Sequence, residues 1–412
     1  MSKVVLMPHQ IEAMETLSGF QSVAYYLDCG LGKSFVGSEQ IMKYNNDYTV
    51  LVCPKSLIPM WRKHFETNYP DVLINDFTKT RKITKGVNLV NFDLIWRCPE
   101  FLNLRDFTLC LDESSLIQNE TTKRSRFILK LQAKNNILLS GTPVSGSKYE
   151  KLWSQCRLLG WNIRKRDFYE RYVIESQINI KNSQFPIKII VGYRNEDELK
   201  QNLRDHGAYF LKAEDVLNLP KQNYIPVEIE PTSVYKKFRK NKIVEIDGET
   251  LIGENVLTQM LYERQLCGQY SKNKLEAFAD LIETSDDRWI VFYSFSAELE
   301  KLKEIAKGRP ISIVNGETKD LTAYENDDNS ITFIQFQAGS HGLTLTKANK
   351  IIYFTPPMSC EHWQQSQKRI HRISQDRPCF YYVMLCKDSV ETKIKKALDR
   401  GVDFNNRLFE EE

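Results

Sequence analysis

The sequence LDCGLGKS, residues 27–34, decides how the chain is organised. It follows an apolar run at 23–27 that predicts a strand, and it precedes a segment at 35–43 that favours a helix. Such a loop directs backbone amides and the helix N-terminus at a phosphate group, while its lysine reaches the β- and γ-phosphates and its serine binds Mg²⁺. Leu27 replaces the usual first glycine, so an ordinary surface turn stays an alternative. The residues predicted to hold the phosphates are Gly30, Leu31, Gly32, Lys33 and Ser34, with Ser34 also a Mg²⁺ ligand.

Length and composition indicate two domains of ordinary size and no membrane segment. The chain has 412 residues, and no apolar run approaches the roughly 20 residues that a membrane helix needs. Its nine cysteines are odd in number and include no Cys-x-x-Cys pair, which argues against a disulfide framework or a zinc ribbon. We therefore expect an intracellular, reducing environment, the bacterial or host cytoplasm if the source is prokaryotic or a phage. A net charge of +4 does not by itself indicate a nucleic-acid partner.

Two further apolar runs end in chemically active side chains. The run 107–111 leads directly into Asp112 and Glu113, and the run 137–139 leads into Ser140-Gly141-Thr142-Pro143. In open α/β sheets, ligands collect at the carboxyl ends of the strands. We predict that Asp112 binds Mg²⁺ through water and that Glu113 orients and deprotonates the water that attacks the γ-phosphate. The alternative for the two carboxylates is a solvent-exposed strand end.

Gln10 lies ahead of the loop, near the start of a predicted helix that ends at Leu17. Its amide offers both a donor and an acceptor, which suits the edge of an adenine ring. The alternative is a glutamine on the surface of a helix.

The second half of the chain predicts another parallel sheet. The candidate strands are Trp289–Tyr293, Ile311–Val314, Ile331–Phe336, Lys350–Phe354 and Phe380–Leu385. No second Gly-Lys-Ser loop is present, but Arg369 and Arg372 are three residues apart and would share one face of a helix. Guanidinium groups bind phosphate oxygens in a fork, so the two arginines are candidate arginine fingers, with a basic solvent-facing helix as the alternative.

Taken together, these motifs resemble those of superfamily 2 helicases, most of all the Swi/Snf-type ATPases. Three segments depart from the family pattern: Ser115 replaces the usual histidine of the acidic box (residues 111–115), Asp28-Cys29 replaces an aspartate-glutamate pair, and Ser340-His341 replaces Gly-Leu. The motifs that carry the resemblance are HQ at 9–10, GLGKS at 30–34, CPKSLIPMW at 53–61, LDESS at 111–115, LLSGTP at 138–143, AGSHGLTLT at 338–346 and QSQKRIHRISQ at 365–375.

The resemblance implies an α/β fold with two RecA-like parallel-sheet lobes in tandem and a short helical insertion and linker between them. The implied boundaries are an ATP-binding lobe at 1–160, an insertion and linker at 161–221, and a second lobe at 222–412. Gly342 and Gln365 are implied to contact the nucleotide alongside the arginine fingers. The implied nucleic-acid contacts are Lys55, Ser56, Ser140, Thr142, Ser294 and Thr344.

The resemblance also implies a function: a monomer that uses ATP and Mg²⁺ to translocate along duplex DNA. A strand-separating or branch-migrating helicase shares the same motor, and a displacement assay distinguishes the two. A non-motor, nucleotide-regulated DNA-binding protein is a third reading, which a measurement of ATP hydrolysis with and without DNA would test. The sequence does not indicate protein partners or a biological pathway.

Overall fold

A computed structural model describes residues 4–28, 30–144, 148–178, 187–339 and 343–404. The chain divides into two compact units, Met1–Leu217 and Asn218–Glu412. Of the predicted site residues, Gly342 lies outside the described residues, as do Cys29 and the departures at Ser340 and His341. Within the described residues, no helix is both long enough and apolar enough to cross a membrane.

Unit 1 is built on a seven-stranded sheet in which all paired strands run parallel, in the order β3-β4-β2-β5-β6-β1-β9. The strands of the sheet are β1 Ser22–Leu27, β2 Tyr48–Cys53, β3 Ile74–Asp76, β4 Gly86–Asn91, β5 Phe107–Asp112, β6 Asn135–Leu139 and β9 Ala208–Leu211. The helices are α1 Pro8–Thr16, α2 Lys33–Tyr44, α3 Ile58–Asn68, α4 Phe77–Thr80, α5 Phe92–Ile95, α6 Lys123–Ile128, α7 Trp153–Leu158, α8 Lys165–Tyr172, α9 Glu196–Asp205 and α10 Ala213–Val216. Short 3₁₀ helices lie at Lys55–Leu57, Pro99–Asn103, Ser114–Ile117 and Tyr149–Leu152.

The central strands of unit 1 form where the sequence has continuous apolar runs. Every residue of β5 is buried, as expected for a strand covered on both faces of a parallel sheet. Because the strands are parallel, the carboxyl ends of β1, β2, β5 and β6 lie at the same edge. The loop at 28–32, the Asp112-Glu113 pair and the turn after β6 are therefore brought to one side of the sheet.

The predicted insertion at 161–221 is less helical than expected. It contains an antiparallel hairpin, formed by β7 Val173–Ile178 and β8 Ile187–Tyr193, with a bulge at Ile174/Glu175. Its β9 pairs in parallel with β1 and forms the edge of the first sheet, so this part of the segment belongs to unit 1. This strand forms because its sequence, Ala-Tyr-Phe-Leu, is apolar enough to extend the core although it is only four residues long.

Unit 2 contains a second seven-stranded sheet, in the order β10-β18-β17-β13-β16-β14-β15, parallel except for the β14–β15 pair. The strands of unit 2 are β10 Gln222–Ile229, β11 Ile243–Ile246, β12 Glu249–Ile252, β13 Trp289–Tyr293, β14 Ile311–Val314, β15 Lys319–Asp320, β16 Ile331–Gln335, β17 Lys350–Tyr353 and β18 Cys379–Cys386; β11 and β12 form a separate antiparallel pair. The helices are α11 Ser233–Asn241, α12 Val256–Cys267, α13 Lys272–Glu283, α14 Ser296–Ile305, α15 Thr322–Asn326, α16 Phe336–Gly339, α17 Cys360–Gln367 and α18 Val390–Asp399. The predicted α/β class with two parallel-sheet lobes is confirmed.

The two arginines are not on one helical face, and this expectation was wrong. Helix α17 ends at Gln367, with Lys368 as its C-cap, so Arg369 and Arg372 lie in the turns that follow. Both side chains bind backbone carbonyls there: Arg369 that of Leu343, and Arg372 that of Lys368. These contacts stabilise the non-helical turns and oppose an extension of α17. The three-residue spacing of the arginines alone does not reveal where the helix ends.

Candidate functional site

The loop between β1 and α2 has the backbone geometry of an anion cradle. Gly30 has φ 90° and Gly32 has φ 75°, a left-handed conformation that glycine adopts without steric cost. Gly32 is the N-cap of α2, so the helix begins at Lys33, as predicted. A Cβ atom built on Gly32 would lie 2.2 Å from Nε2 of Gln10, so the loop also needs glycine for space.

Gln10 is buried and lies against this loop. Its Nε2 donates a hydrogen bond of 3.0 Å to the carbonyl oxygen of Leu31, and its Oε1 accepts one of 2.9 Å from the backbone N–H of Met7. His9 makes a second contact with the same Leu31 oxygen, through its ring nitrogen Nε2 at 3.2 Å. The alternative of an exposed surface glutamine is therefore wrong, because Gln10 supports the loop from α1. Its contact with adenine stays a prediction.

Lys33 is half-buried and folds back over its own loop. Its Nζ donates a hydrogen bond of 3.0 Å to the carbonyl oxygen of Leu27, so the ammonium stays at the carboxyl end of β1. Ser34 follows in the first turn of α2 and is also half-buried. This arrangement fits a triphosphate, which would attract the ammonium away from a neutral carbonyl.

Asp112 is the last residue of β5, and its carboxylate is held by an aromatic side chain that the sequence did not single out. The indole N–H of Trp61, fully buried in α3, donates a hydrogen bond of 2.7 Å to Oδ2 of Asp112. Burial and the adjacent charge of Glu113 raise the pKa of Asp112 to about 6, while Trp61 and Lys33 act in the opposite direction. A buried carboxylate that resists ionisation is well suited to a divalent cation, because the cation offsets the cost of its charge.

Trp61→Phe tests this assignment, because phenylalanine keeps an aromatic ring and removes the donor. Without the hydrogen bond, the pKa of Asp112 should rise by about one unit, so more of it is protonated just above pH 6. We expect the Mg²⁺ concentration for half-maximal ATP hydrolysis to be about threefold higher than in the wild type at pH 6.5. At pH 8.5 the two proteins should agree. Because the two proteins are compared at the same pH, the effect of ATP protonation on Mg²⁺ binding is the same for both. Equal half-maximal Mg²⁺ concentrations at pH 6.5 would contradict the assignment.

Glu113 follows Asp112 in a left-handed conformation, with φ 61°. Such a backbone is uncommon for a residue with a side chain and concentrates at functional sites. It also ends β5 and starts the 3₁₀ helix Ser114–Ile117, which leaves the Glu113 side chain half-exposed beside the buried Asp112. A half-exposed carboxylate is accessible to water, as the predicted general base must be.

Gln155 joins the acidic box to the turn after β6, and sequence reasoning did not identify it. This fully buried residue of α7 accepts hydrogen bonds of 2.8 Å from Oγ of Ser114 and 2.9 Å from the hydroxyl of Tyr26. Its Nε2 donates one of 3.0 Å to the carbonyl oxygen of Pro143. The connection runs through Ser114 and Gln155, whereas the family pattern has a histidine at the position of Ser115.

The candidate residues of that turn and of the segment after β2 differ in exposure. Ser140 is fully buried and its Oγ accepts a hydrogen bond of 3.2 Å from the backbone N–H of Thr142. Lys55 and Ser56 are exposed in the 3₁₀ helix that leads into α3. Lys55 also lines a surface cavity of about 380 Å³, whose lining includes four basic residues, Lys55, Arg62, Lys63 and Lys79, and two acidic ones, Glu66 and Asp76.

The candidates of unit 2 lie at the carboxyl-end edge of its sheet. Ser294 follows β13, half-buried, and its Oγ accepts a hydrogen bond of 3.1 Å from Arg264. Thr344 is exposed, and its Oγ1 accepts one of 2.7 Å from Nη1 of Arg372. Gln365 is buried in α17, where its Nε2 donates to Glu361 and its Oε1 has no hydrogen-bond partner among the described residues.

Comparison with known proteins agrees with this geometry. The model of the SNF2-related domain matches residues 15–272, and that of the helicase conserved C-terminal domain matches residues 273–374. The chain belongs to the SNF2-related family. The resemblance drawn from the motifs is confirmed.

Curated SNF2-family relatives come from bacteria and viruses as well as eukaryotes. A putative ATP-dependent helicase/translocase YwqA of Bacillus subtilis is 24% identical over 469 residues, which cover 100% of this chain and 49% of the relative. A probable global transactivator of Orgyia pseudotsugata multicapsid polyhedrosis virus is 24% identical over 449 residues, which cover 93% of this chain and 86% of the relative. The chain thus spans about half the length of the Bacillus relative. A solved Sulfolobus solfataricus SWI2/SNF2 ATPase core in complex with dsDNA matches with 19% identity and a TM-score of 0.46, covering 99% of this chain and 92% of that one.

Proposed function

We propose that this SNF2-family chain hydrolyses ATP with Mg²⁺ and uses the energy to move along duplex DNA as a monomer. The observation that carries the proposal is the buried Asp112, beside Glu113 and at the same sheet edge as the glycine loop. Glu113 would activate the attacking water, and Lys33 and Ser34 would bind the phosphates and Mg²⁺. When bound, Mg²⁺ supplies charge that stabilises the transferring phosphoryl group.

The proposal assigns the remaining catalytic charge to unit 2. Arg372, with the buried Arg369 three residues before it, would approach the γ-phosphate when the two units close, so that hydrolysis depends on their movement. Gln365 and Gly342 are proposed to contact the nucleotide in the same state. Within unit 1, the Ser114–Gln155–Pro143 connection would link the segment after Asp112 and Glu113 to the turn that carries Ser140 and Thr142.

The decisive experiment measures steady-state ATP hydrolysis with duplex DNA, single-stranded DNA or RNA, each at several salt concentrations. We expect duplex DNA to stimulate turnover most, and the stimulation to weaken as salt rises because phosphate contacts release counterions. Lys33→Ala, which removes the phosphate-binding ammonium, serves as the control for contaminating ATPase. Stronger stimulation by RNA would contradict the duplex assignment, and no hydrolysis at all would favour a non-motor protein.

One structural feature favours the strand-separating alternative. The β7–β8 hairpin exposes Ile174 and Val191, which are 39% and 49% accessible. Apolar side chains that insert between base pairs can unstack them. A triplex-displacement assay beside a strand-displacement assay distinguishes the functions, since translocation on duplex removes a third strand and leaves the duplex paired.

A further inference from the structure

His64 connects two helices of unit 1, α2 and α3. Helix α2 begins at Lys33, directly after the glycine loop, and α3 carries Trp61, which holds Asp112. Nε2 of His64, in α3, lies 3.0 Å from Oγ of the fully buried Ser38, in α2. One imidazole therefore joins the helix that starts at the glycine loop to the helix that supports Asp112.

The groups around Ser38 indicate that His64 is the donor in this contact. Oγ of Ser38 lies 2.9 Å from the carbonyl oxygen of Ser34, which only accepts, and 2.8 Å from the hydroxyl of Tyr69. Tyr69 donates its own proton to Glu39, so towards Ser38 it is also an acceptor. Because the single hydroxyl proton of Ser38 serves these acceptors, its oxygen is left to accept the proton on Nε2 of His64.

Three side chains hold the imidazole of His64 in place. Its ring packs edge-on against those of Trp61 and Phe35, with ring centroids 5.6 Å and 4.9 Å apart. The side-chain amide nitrogen of Asn68 faces Nδ1 at 3.4 Å and can donate to it. These contacts favour the neutral ring with its proton on Nε2, and burial acts in the same direction by lowering the pKa of His64.

We propose that His64 is a positioning residue for the Mg²⁺ site: its hydrogen bond to Ser38 fixes the first turn of α2, and with it Ser34, relative to α3. The inference rests on the proposed function, since it takes Mg²⁺-ATP as the ligand. Ser38 lies one helical turn after Ser34 and contacts its backbone, so a tether at Ser38 restrains the turn that carries the proposed Mg²⁺ ligand. Side chains that orient a metal ligand without touching the metal change metal affinity by roughly 10- to 100-fold.

His64→Phe tests the proposal, because phenylalanine keeps the ring contacts with Trp61 and Phe35 and removes the donor. The probe is a fluorescent ATP analogue, whose affinity is measured in excess EDTA and across a Mg²⁺ titration at pH 8.5. We expect the Mg²⁺ concentration that gives half of the gain in affinity to be about tenfold higher than in the wild type, with the affinity in EDTA unchanged. At this pH Trp61→Phe should match the wild type, so the shift in His64→Phe does not arise from protonation of Asp112.

His64→Gln and His206→Phe are the controls. Glutamine carries an amide N–H that can reach the position of Nε2, so His64→Gln should shift the Mg²⁺ dependence less than His64→Phe does. His206→Phe makes the same chemical change at the C-cap of α9, where the ring stacks on Trp161 and Nδ1 lies 2.7 Å from the carbonyl oxygen of Asn202. Since α9 carries none of the candidate site residues, the Mg²⁺ dependence of His206→Phe should equal that of the wild type.

Ser38→Ala tests whether the two side chains act as one unit. It removes the acceptor of the same hydrogen bond, so it should shift the Mg²⁺ dependence in the same direction as His64→Phe. The double variant should shift it no further than the larger of the two single effects, because both substitutions break one interaction. Additive shifts would overturn the proposal that His64 acts through Ser38.

The outcomes separate this proposal from the proposed function. If the wild type gains no affinity for the ATP analogue with Mg²⁺, the Mg²⁺ assignment of the proposed function fails. If the wild type depends on Mg²⁺ but His64→Phe behaves like His206→Phe, only the role of His64 is wrong. If His64→Phe weakens binding equally with Mg²⁺ and in EDTA, His64 supports the glycine loop as a whole and the assignment to the Mg²⁺ site is overturned.

Discussion

Glu113→Gln is expected to lower ATP turnover by about 10²- to 10⁴-fold while Mg²⁺-ATP still binds. Glutamine has the shape of glutamate, so the left-handed backbone at this position and the half-exposed side chain are preserved. It lacks the ability to accept a proton from water, which is the step that the proposed mechanism assigns to Glu113. Steady-state turnover with saturating duplex DNA measures the loss, and a fluorescent ATP analogue measures binding.

Glu100→Gln provides the matched control for this experiment. It makes the same chemical change at an exposed glutamate in the 3₁₀ helix Pro99–Asn103, which precedes β5 and so lies towards the opposite edge of the sheet. Turnover should stay at the wild-type level there. If Glu113→Gln also keeps near-normal turnover, another group activates the water and the assignment of Glu113 is wrong.

The parts of the candidate nucleotide site that the sequence predicts are those in which the functional residues follow directly on a strand. Lys33, Asp112 and Glu113 each lie close to the end of an apolar run, so strand prediction alone brings them to one edge of a parallel sheet. Trp61 lies 51 positions from Asp112, and Gln155 lies 129 positions from Tyr26. Partners so distant in the chain are chosen by tertiary packing, which periodicity does not encode. A tryptophan in the motif at 53–61 was the available signal for the first of them.

Edge elements were predicted less well than central strands. In β10, half-buried and exposed residues alternate, only Ile229 is buried, and the strand contains Pro226, which removes a backbone donor. Proline is tolerated there because β10 is an edge strand of the second sheet, paired with β18 alone among the described strands. The β7–β8 hairpin was missed for a related reason: among the described strands, β7 and β8 pair with each other alone, and polar residues interrupt their apolar runs.

Arg372→Ala is expected to reduce DNA-stimulated ATP turnover by about 10³- to 10⁵-fold, the effect typical of an arginine finger. Arg372 is half-exposed, and its Nη1 is held by the hydroxyl of Thr344. Its removal should therefore leave thermal unfolding close to that of the wild type. Arg372→Lys should recover little of the activity, because an ammonium does not reproduce the planar fork on phosphate oxygens.

Arg369→Ala tests whether Arg369 has a structural role, in contrast to the catalytic role proposed for Arg372 in the same segment. Arg369 is only 3% accessible, and its Nη1 donates a hydrogen bond of 3.1 Å to the carbonyl oxygen of Leu343. Truncation leaves that buried carbonyl without its donor, which should lower the free energy of unfolding by about 1–3 kcal/mol. Turnover by the folded fraction should then fall less than in Arg372→Ala. If Arg372→Ala hydrolyses ATP normally while Arg369→Ala is folded and inactive, the roles of the two arginines are reversed.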